Sequence, residues 1–170
     1  MSLSFLPTWI LSDITHVTPE FLKKQGITLL MMDFDNTIVP YTTNIPTEDV
    51  ERWLRDMAAG EIDICVVSNS KRDRVVKFCD GYGINCITHS KKPFPKGIRQ
   101  CLSRYGRKPT ECALVGDQIF TDVLGANCAG MRSILVKAIN NHNIWLKLRH
   151  VAELPFIFLA RNRRINYEES

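Results

Sequence analysis

The chain is 170 residues long, 45% hydrophobic and 24% charged, with a formal net charge of +4. That fits one globular domain with a sizeable core, and no stretch approaches the roughly 18 consecutive apolar residues of a membrane-spanning helix. The mild positive charge is compatible with anionic substrates but gives no reason to expect a nucleic-acid partner.

The N-terminal stretch 1–11 is apolar without a basic start, so no signal peptide is expected. Thr18-Pro19-Glu20 opens a helix, with Thr as N-cap and Pro in the first turn, that ends near Gly26. Residues 28–33 are apolar without alternation, the pattern of a buried parallel strand. Thr47 opens a second helix whose Val50, Trp53, Leu54 and Met57 share one face, and Gly60 stops it. A β-type run at 62–67 ends in Ser68-Asn69-Ser70, where Ser70 suits a helix N-cap. A helix over about 71–80, a strand at 85–88, a helix over 96–105 and a strand at 112–115 follow. The last pair is a helix at 121–129 and a strand at 133–136. This alternation predicts a single α/β domain, a Rossmann-like three-layer α/β/α arrangement with a parallel sheet. Its motif-bearing core spans about 26–140 between N- and C-terminal extensions. Beyond residue 140 the pattern loosens into an apolar-basic stretch broken by Pro155 and a basic Arg161-Asn162-Arg163-Arg164 tail.

The six cysteines (Cys65, Cys79, Cys86, Cys101, Cys112 and Cys128) form no C-x-x-C pair, which argues against a zinc ribbon or thioredoxin-like site. Several lie in apolar runs and read as buried free thiols of a reducing, cytoplasmic compartment.

The chemistry gathers just after the apolar runs. The strand 28–33 delivers Asp33 and Asp35, with Thr37 beyond them. The next delivers Ser68 and Asn69, the third leads to Lys91 and Lys92, and the fourth to Asp117 with Asp122 behind it. In a parallel sheet all these ends share one edge, where such sheets bind ligands. Two crowded carboxylates repel unless a cation or shared proton relieves them, an arrangement that suits a Mg²⁺ site handling phosphate. Taken singly, each residue has a plainer reading. The Asp33–Asp35 pair and Asp117 suit turns, Ser68 a helix N-cap, and Asp122 the acidic first turn of a helix.

Four marks therefore stand in order: Asp33-Phe34-Asp35-Asn36-Thr37, Ser68, Lys92-Pro93, and Gly116-Asp117-Gln118-Ile119-Phe120-Thr121-Asp122. Together they resemble the haloacid dehalogenase superfamily of Mg²⁺-dependent phosphohydrolases. The details are similar to its subfamily IIIA phosphatases of the YqeG group, in Asp35-Asn-Thr-Ile-Val-Pro, in the run from Gly116 to Asn127, and in Thr18-Pro19-Glu20-Phe21-Leu22. Tyr41 departs from the tryptophan expected there, outside the chemistry. The resemblance implies that Asp33 attacks phosphorus to form an aspartyl-phosphate and that Asp35 is the acid and base. It implies Mg²⁺ held by Asp33, Asp117 and the backbone carbonyl of Asp35. Lys92, Ser68 and the amide of Asn69 would bind the phosphoryl group, and Asp122 would serve the metal or Lys92, with Thr37 in support.

Many members of the superfamily carry a cap domain. The stretches between Thr37 and Ser68 and between Ser70 and Lys92 leave no room for one, so a capless enzyme with an open site is expected. An open rim favours a substrate whose bulk lies outside. Relatives of this group include phosphatidylglycerophosphate phosphatases, so the expected partner is a phosphorylated substrate, foremost a lipid phosphate at the inner face of the membrane. The apolar-basic C-terminus, with Trp145, Lys147, Arg149, Phe156, Phe158 and Arg161, would either rest on an anionic membrane surface or pack on the domain edge. The alternatives are a phosphatase of a soluble metabolite and a non-catalytic binding module on the same fold.

Overall fold

The computed structural model describes residues 4–70, 72–139 and 154–158. Six strands form one sheet in which every pairing is parallel: β1 (Trp9–Leu11), β2 (Leu29–Met32), β3 (Asp63–Val67), β4 (Asn85–Ile87), β5 (Cys112–Gly116) and β6 (Arg132–Val136). The order across the sheet is β1-β6-β5-β2-β3-β4. The helices are α1 (Pro19–Lys24), α2 (Glu48–Ala59), α3 (Arg72–Tyr82), α4 (Lys96–Tyr105) and α5 (Leu124–Ala129).

All four residues of β2 are buried, which is why that run is apolar on both faces. Alternate side chains go to opposite sides of a strand. Leu30 and Met32 pack with Leu22, Trp53 and Phe78 of α1, α2 and α3, while Leu29 and Met31 pack with Ile98 and Leu102 of α4 and Ala126 of α5. The result is three layers with the sheet in the middle. Thr18 and Thr47 cap α1 and α2 through their hydroxyls, as the sequence predicts. Trp53 ties α2 to the N-terminal segment, its indole N–H donating to the Val17 carbonyl at 2.7 Å.

The chain winds outward from β2 through β3 to β4, then returns to the other side of β2 for β5 and β6. Neighbouring strands β2 and β5 thus send their connections in opposite directions. Beyond their carboxyl ends lies the crevice where open α/β sheets bind ligands. No inserted domain covers it among the described residues. β2 is joined to α2 by a loop alone, and β3 to β4 by α3 alone.

Two elements differ from the sequence expectation. Strand β1, beside β6, was not anticipated: three half-buried residues are too few to show a period. The helix expected at 121–129 starts earlier, with a π-helical turn over Ile119–Val123 leading into α5. Within the C-terminal stretch, a helical turn at 154–158 places Phe156 against Phe5 and Phe120, on the domain edge. Trp145, Lys147, Arg149, Arg161, Arg163 and Arg164 lie outside the described residues.

Trp53→Phe removes the buried indole donor and leaves the Val17 carbonyl without it. The expected loss is about 1–3 kcal/mol, read as a lower urea midpoint at unchanged slope.

Candidate active site

The site begins where β2 ends. The Asp33 N–H donates to the Val115 carbonyl at 2.9 Å, extending the β2–β5 ladder by one residue. Asp33 and Asp117 therefore leave adjacent strands at the crevice. The chain then turns back on itself: Asn36 N–H donates to the Val39 carbonyl at 2.8 Å, with Asn36 in the left-handed region at φ 59°. Asn tolerates that conformation better than most residues. The turn buries Thr37, whose hydroxyl oxygen has no hydrogen-bond partner among the described residues.

Lys92 reaches into this corner from the β4–α4 loop. Its ammonium lies 2.7 Å from Asp33 Oδ1 and 2.7 Å from Asp122 Oδ1, and its side chain is 1% exposed. Burial alone would depress the lysine. The Asp122 and Asp33 carboxylates more than reverse that and hold it above the ordinary lysine range, so it stays charged. Burial also pushes the Asp122 carboxyl up, to about 6, opposed by Lys92 and assisted by Asp33. The other Asp122 oxygen accepts the Gln118 N–H at 3.1 Å. The π-helical turn is what brings Asp122 inward here.

The loop that carries Lys92 is itself restrained. His89 and Lys91 both adopt left-handed backbone, at φ 50° and 58°. Such positions cost on the order of 1–3 kcal/mol each unless the surroundings dictate them. Asn69 supplies much of that restraint: its Oδ1 accepts from the Lys92 N–H and the Ser90 hydroxyl at 2.8 Å each, and its Nδ2 donates to the Lys92 carbonyl at 2.9 Å. Ser68, just past β3, is buried, and its hydroxyl oxygen accepts the Ser70 N–H at 2.9 Å.

Asp33, Asp117 and Asp122 each offer a carboxylate oxygen, all within 4.8 Å of one another. A set of hard oxygen donors fits a hard divalent cation. The Asp35 carboxylate is engaged elsewhere, by the Ser70 hydroxyl and the guanidinium of Arg74. Burial raises the Asp35 carboxyl above its ordinary value, against the lowering pull of Ser70 and Arg74 and with a push from Asp33. The predicted residues Asp33, Asp35, Lys92, Asp117 and Asp122 thus do converge, with Ser68, Asn69 and Thr37 around them. Arg74 and Ser90 were not anticipated, and Gly116 stood in the fourth mark without a role of its own. The partners of Arg74 lie 30 to 39 residues away in sequence, a separation that leaves no local pattern to read.

A family model of haloacid dehalogenase-like hydrolases matches residues 5–130. The chain belongs to this family. Among haloacid dehalogenase-like hydrolases it is similar to the probable phosphatase YqeG of Bacillus subtilis, 32% identical over 167 residues and 97% of both chains. It is also similar to phosphatidylglycerophosphate phosphatase 1 of Arabidopsis thaliana, 27% identical over 92% of this chain but only 47% of that protein. In solved structures the fold recurs in the cobalt-bound deoxy-D-mannose-octulosonate 8-phosphate phosphatase of Haemophilus influenzae. The TM-score is 0.53 at 14% identity, over 75% of this chain and 77% of that one.

Gly116 is needed for its smallness. A Cβ there would sit 2.3 Å from Asp122 Oδ2. Gly116→Ala should push Asp122 off Lys92 and cost about 1–3 kcal/mol, measured by chemical denaturation.

Proposed function

We propose that the chain is a Mg²⁺-dependent phosphatase that hydrolyses a phosphate monoester through an aspartyl-phosphate on Asp33. The observation that carries this reading is the position of Asp33. It stands at the switch-point edge of the sheet, paired with a buried lysine and within 4.8 Å of two further carboxylates. A lone structural aspartate has no use for such surroundings, whereas a nucleophile that must meet an anionic phosphate does.

In this reading an Asp33 carboxylate oxygen forms a bond to phosphorus while the bond from phosphorus to the ester oxygen breaks. Asp35, whose carboxyl is raised by burial, gives its proton to the departing oxygen. Asp35 then takes a proton from water as that water attacks the phosphoryl group, releasing inorganic phosphate and restoring Asp33. Lys92 keeps Asp33 oriented and offsets negative charge as the phosphate approaches. Ser68 and the Asn69 amide bind the phosphoryl oxygens. Asp33, Asp117 and the Asp35 carbonyl would hold Mg²⁺, with Asp122 behind them, and the ion would supply positive charge to the phosphoryl group.

The substrate we propose is a lipid phosphate such as phosphatidylglycerophosphate. The absence of an inserted domain over the crevice among the described residues supports this, since the bulk of such a molecule would stay outside, as does the name of the Arabidopsis relative. No described helix is long and apolar enough to cross a membrane. The place of work we propose for a lipid substrate is the cytoplasmic face of the membrane, reached as a peripheral enzyme.

The test is a panel of phosphate esters, soluble and lipid, assayed with Mg²⁺. Phosphatidylglycerophosphate should be turned over, chelation should abolish turnover, and Mg²⁺ should restore it. Asp33→Asn should lower kcat by at least ~10³-fold, a loss in keeping with deletion of a covalent nucleophile. Equal inactivity of wild type and Asp33→Asn across the panel would overturn the enzyme reading. Turnover of a soluble ester but not the lipid would overturn the substrate.

A further inference from the structure

The loop that follows Asp35 is held by very little of its own. None of residues 40–45 is buried, and Tyr41 and Ile45 are 65% and 75% exposed. Its internal bonds are local: Tyr41 N–H to Asn36 Oδ1 at 3.2 Å, Thr43 N–H to the Pro40 carbonyl at 3.2 Å, and Ile45 N–H to Thr43 Oγ1 at 3.0 Å. Such a segment would be expected to sample many conformations.

One side chain from another element gathers it. Arg74, in the first turns of α3, donates from Nη1 to Asp35 and from Nε to Asn44 Oδ1. Its Nη2 donates to the Pro40 carbonyl at 2.8 Å and the Thr43 carbonyl at 2.5 Å. The guanidinium carbon also lies 5.0 Å from the Phe34 ring centre and 5.6 Å from that of Tyr41. A planar fork with several fixed donors can span four acceptors at once, which the point charge of a lysine cannot.

We propose that Arg74 is a positioning residue: it latches the 40–45 loop onto Asp35, fixing the loop as one wall of the open site and the Asp35 carboxylate in one orientation. The task given to Asp35 rests on the phosphatase reading; the latch does not. The consequence is a site with a shaped entrance although no cap covers it among the described residues. Tyr41, stacked on the guanidinium, is presented on that wall.

The test combines hydrogen exchange with leaving-group dependence, on the full chain with Mg²⁺. In Arg74→Met the amides of residues 41–45 should exchange at least ~10-fold faster, while those of β2 and β5 stay slow and certify the fold. Esters of poor alkyl leaving groups need a proton donor and aryl phosphates hardly do, and a positioned donor is worth ~10²–10⁴-fold. Arg74→Met should therefore lose at least ~10-fold more kcat on an alkyl than on an aryl phosphate. Arg74→Lys keeps a cation for Asp35 but not the fork, so it should recover the alkyl-to-aryl ratio while the loop still exchanges fast. Unchanged loop exchange in Arg74→Met would overturn the latch. Faster exchange in Arg74→Met with an alkyl-to-aryl ratio like wild type would overturn its link to Asp35. If wild type hydrolysed neither ester, the phosphatase reading would fall, and the exchange measurement would still decide the latch.

Discussion

One buried ammonium organises the corner where β2 and β5 end. Lys92 is 1% exposed and 2.7 Å from carboxylates of both Asp33 and Asp122. Removing such a charge from water costs several kcal/mol, and only close, well-placed opposite charges offset it. The Asp33 and Asp122 carboxylates would repel each other; with Lys92 between them they are held together. The rest of the site answers to that arrangement. Asn69 fixes the Lys92 backbone, left-handed residues at 89 and 91 aim it, and the absent side chain of Gly116 makes room for Asp122.

The sheet topology decides where this corner sits. The chain leaves β2 toward β3 and comes back on its other side as β5, so the connections diverge and open a crevice above the two central strands. The residues that fill it come from four different connections. That is possible because all the strands are parallel and present their carboxyl ends at one edge. With no domain inserted over the edge among the described residues, the walls are short loops, and the one after Asp35 is bound to the rest of the molecule through Arg74.

Much of this was legible in the sequence, for physical reasons. Strands β2 and β5 are buried throughout, and β3 from Cys65 to Val67, so they read as apolar runs, and the polar residues just past them marked the site. The caps Thr18 and Thr47 were legible because an N-cap is a local hydrogen bond. Strand β1 was not, because three half-buried residues carry no periodicity, and the π-helical turn at Ile119–Val123 has no compositional sign. Asn69 was expected to meet phosphate through its amide, and its side chain proves to brace the Lys92 loop as well. Ser70 was expected as a helix cap, and its hydroxyl bonds to Asp35. Arg74 was invisible, since nothing near it in sequence shows that its partners are Asp35 and a distant loop. Side chains that act across the fold leave no trace in local pattern.

The central claim is that Asp33 is a nucleophile and not merely a ligand or a turn residue. The most direct measurement is mass spectrometry of the protein quenched in acid during turnover of a phosphate ester with Mg²⁺. The account predicts one added phosphoryl group on the peptide containing Asp33, absent from Asp33→Asn and lost once the ester is exhausted. Turnover without any phosphorylated peptide, or a phosphoryl group carried by a different residue, would contradict it.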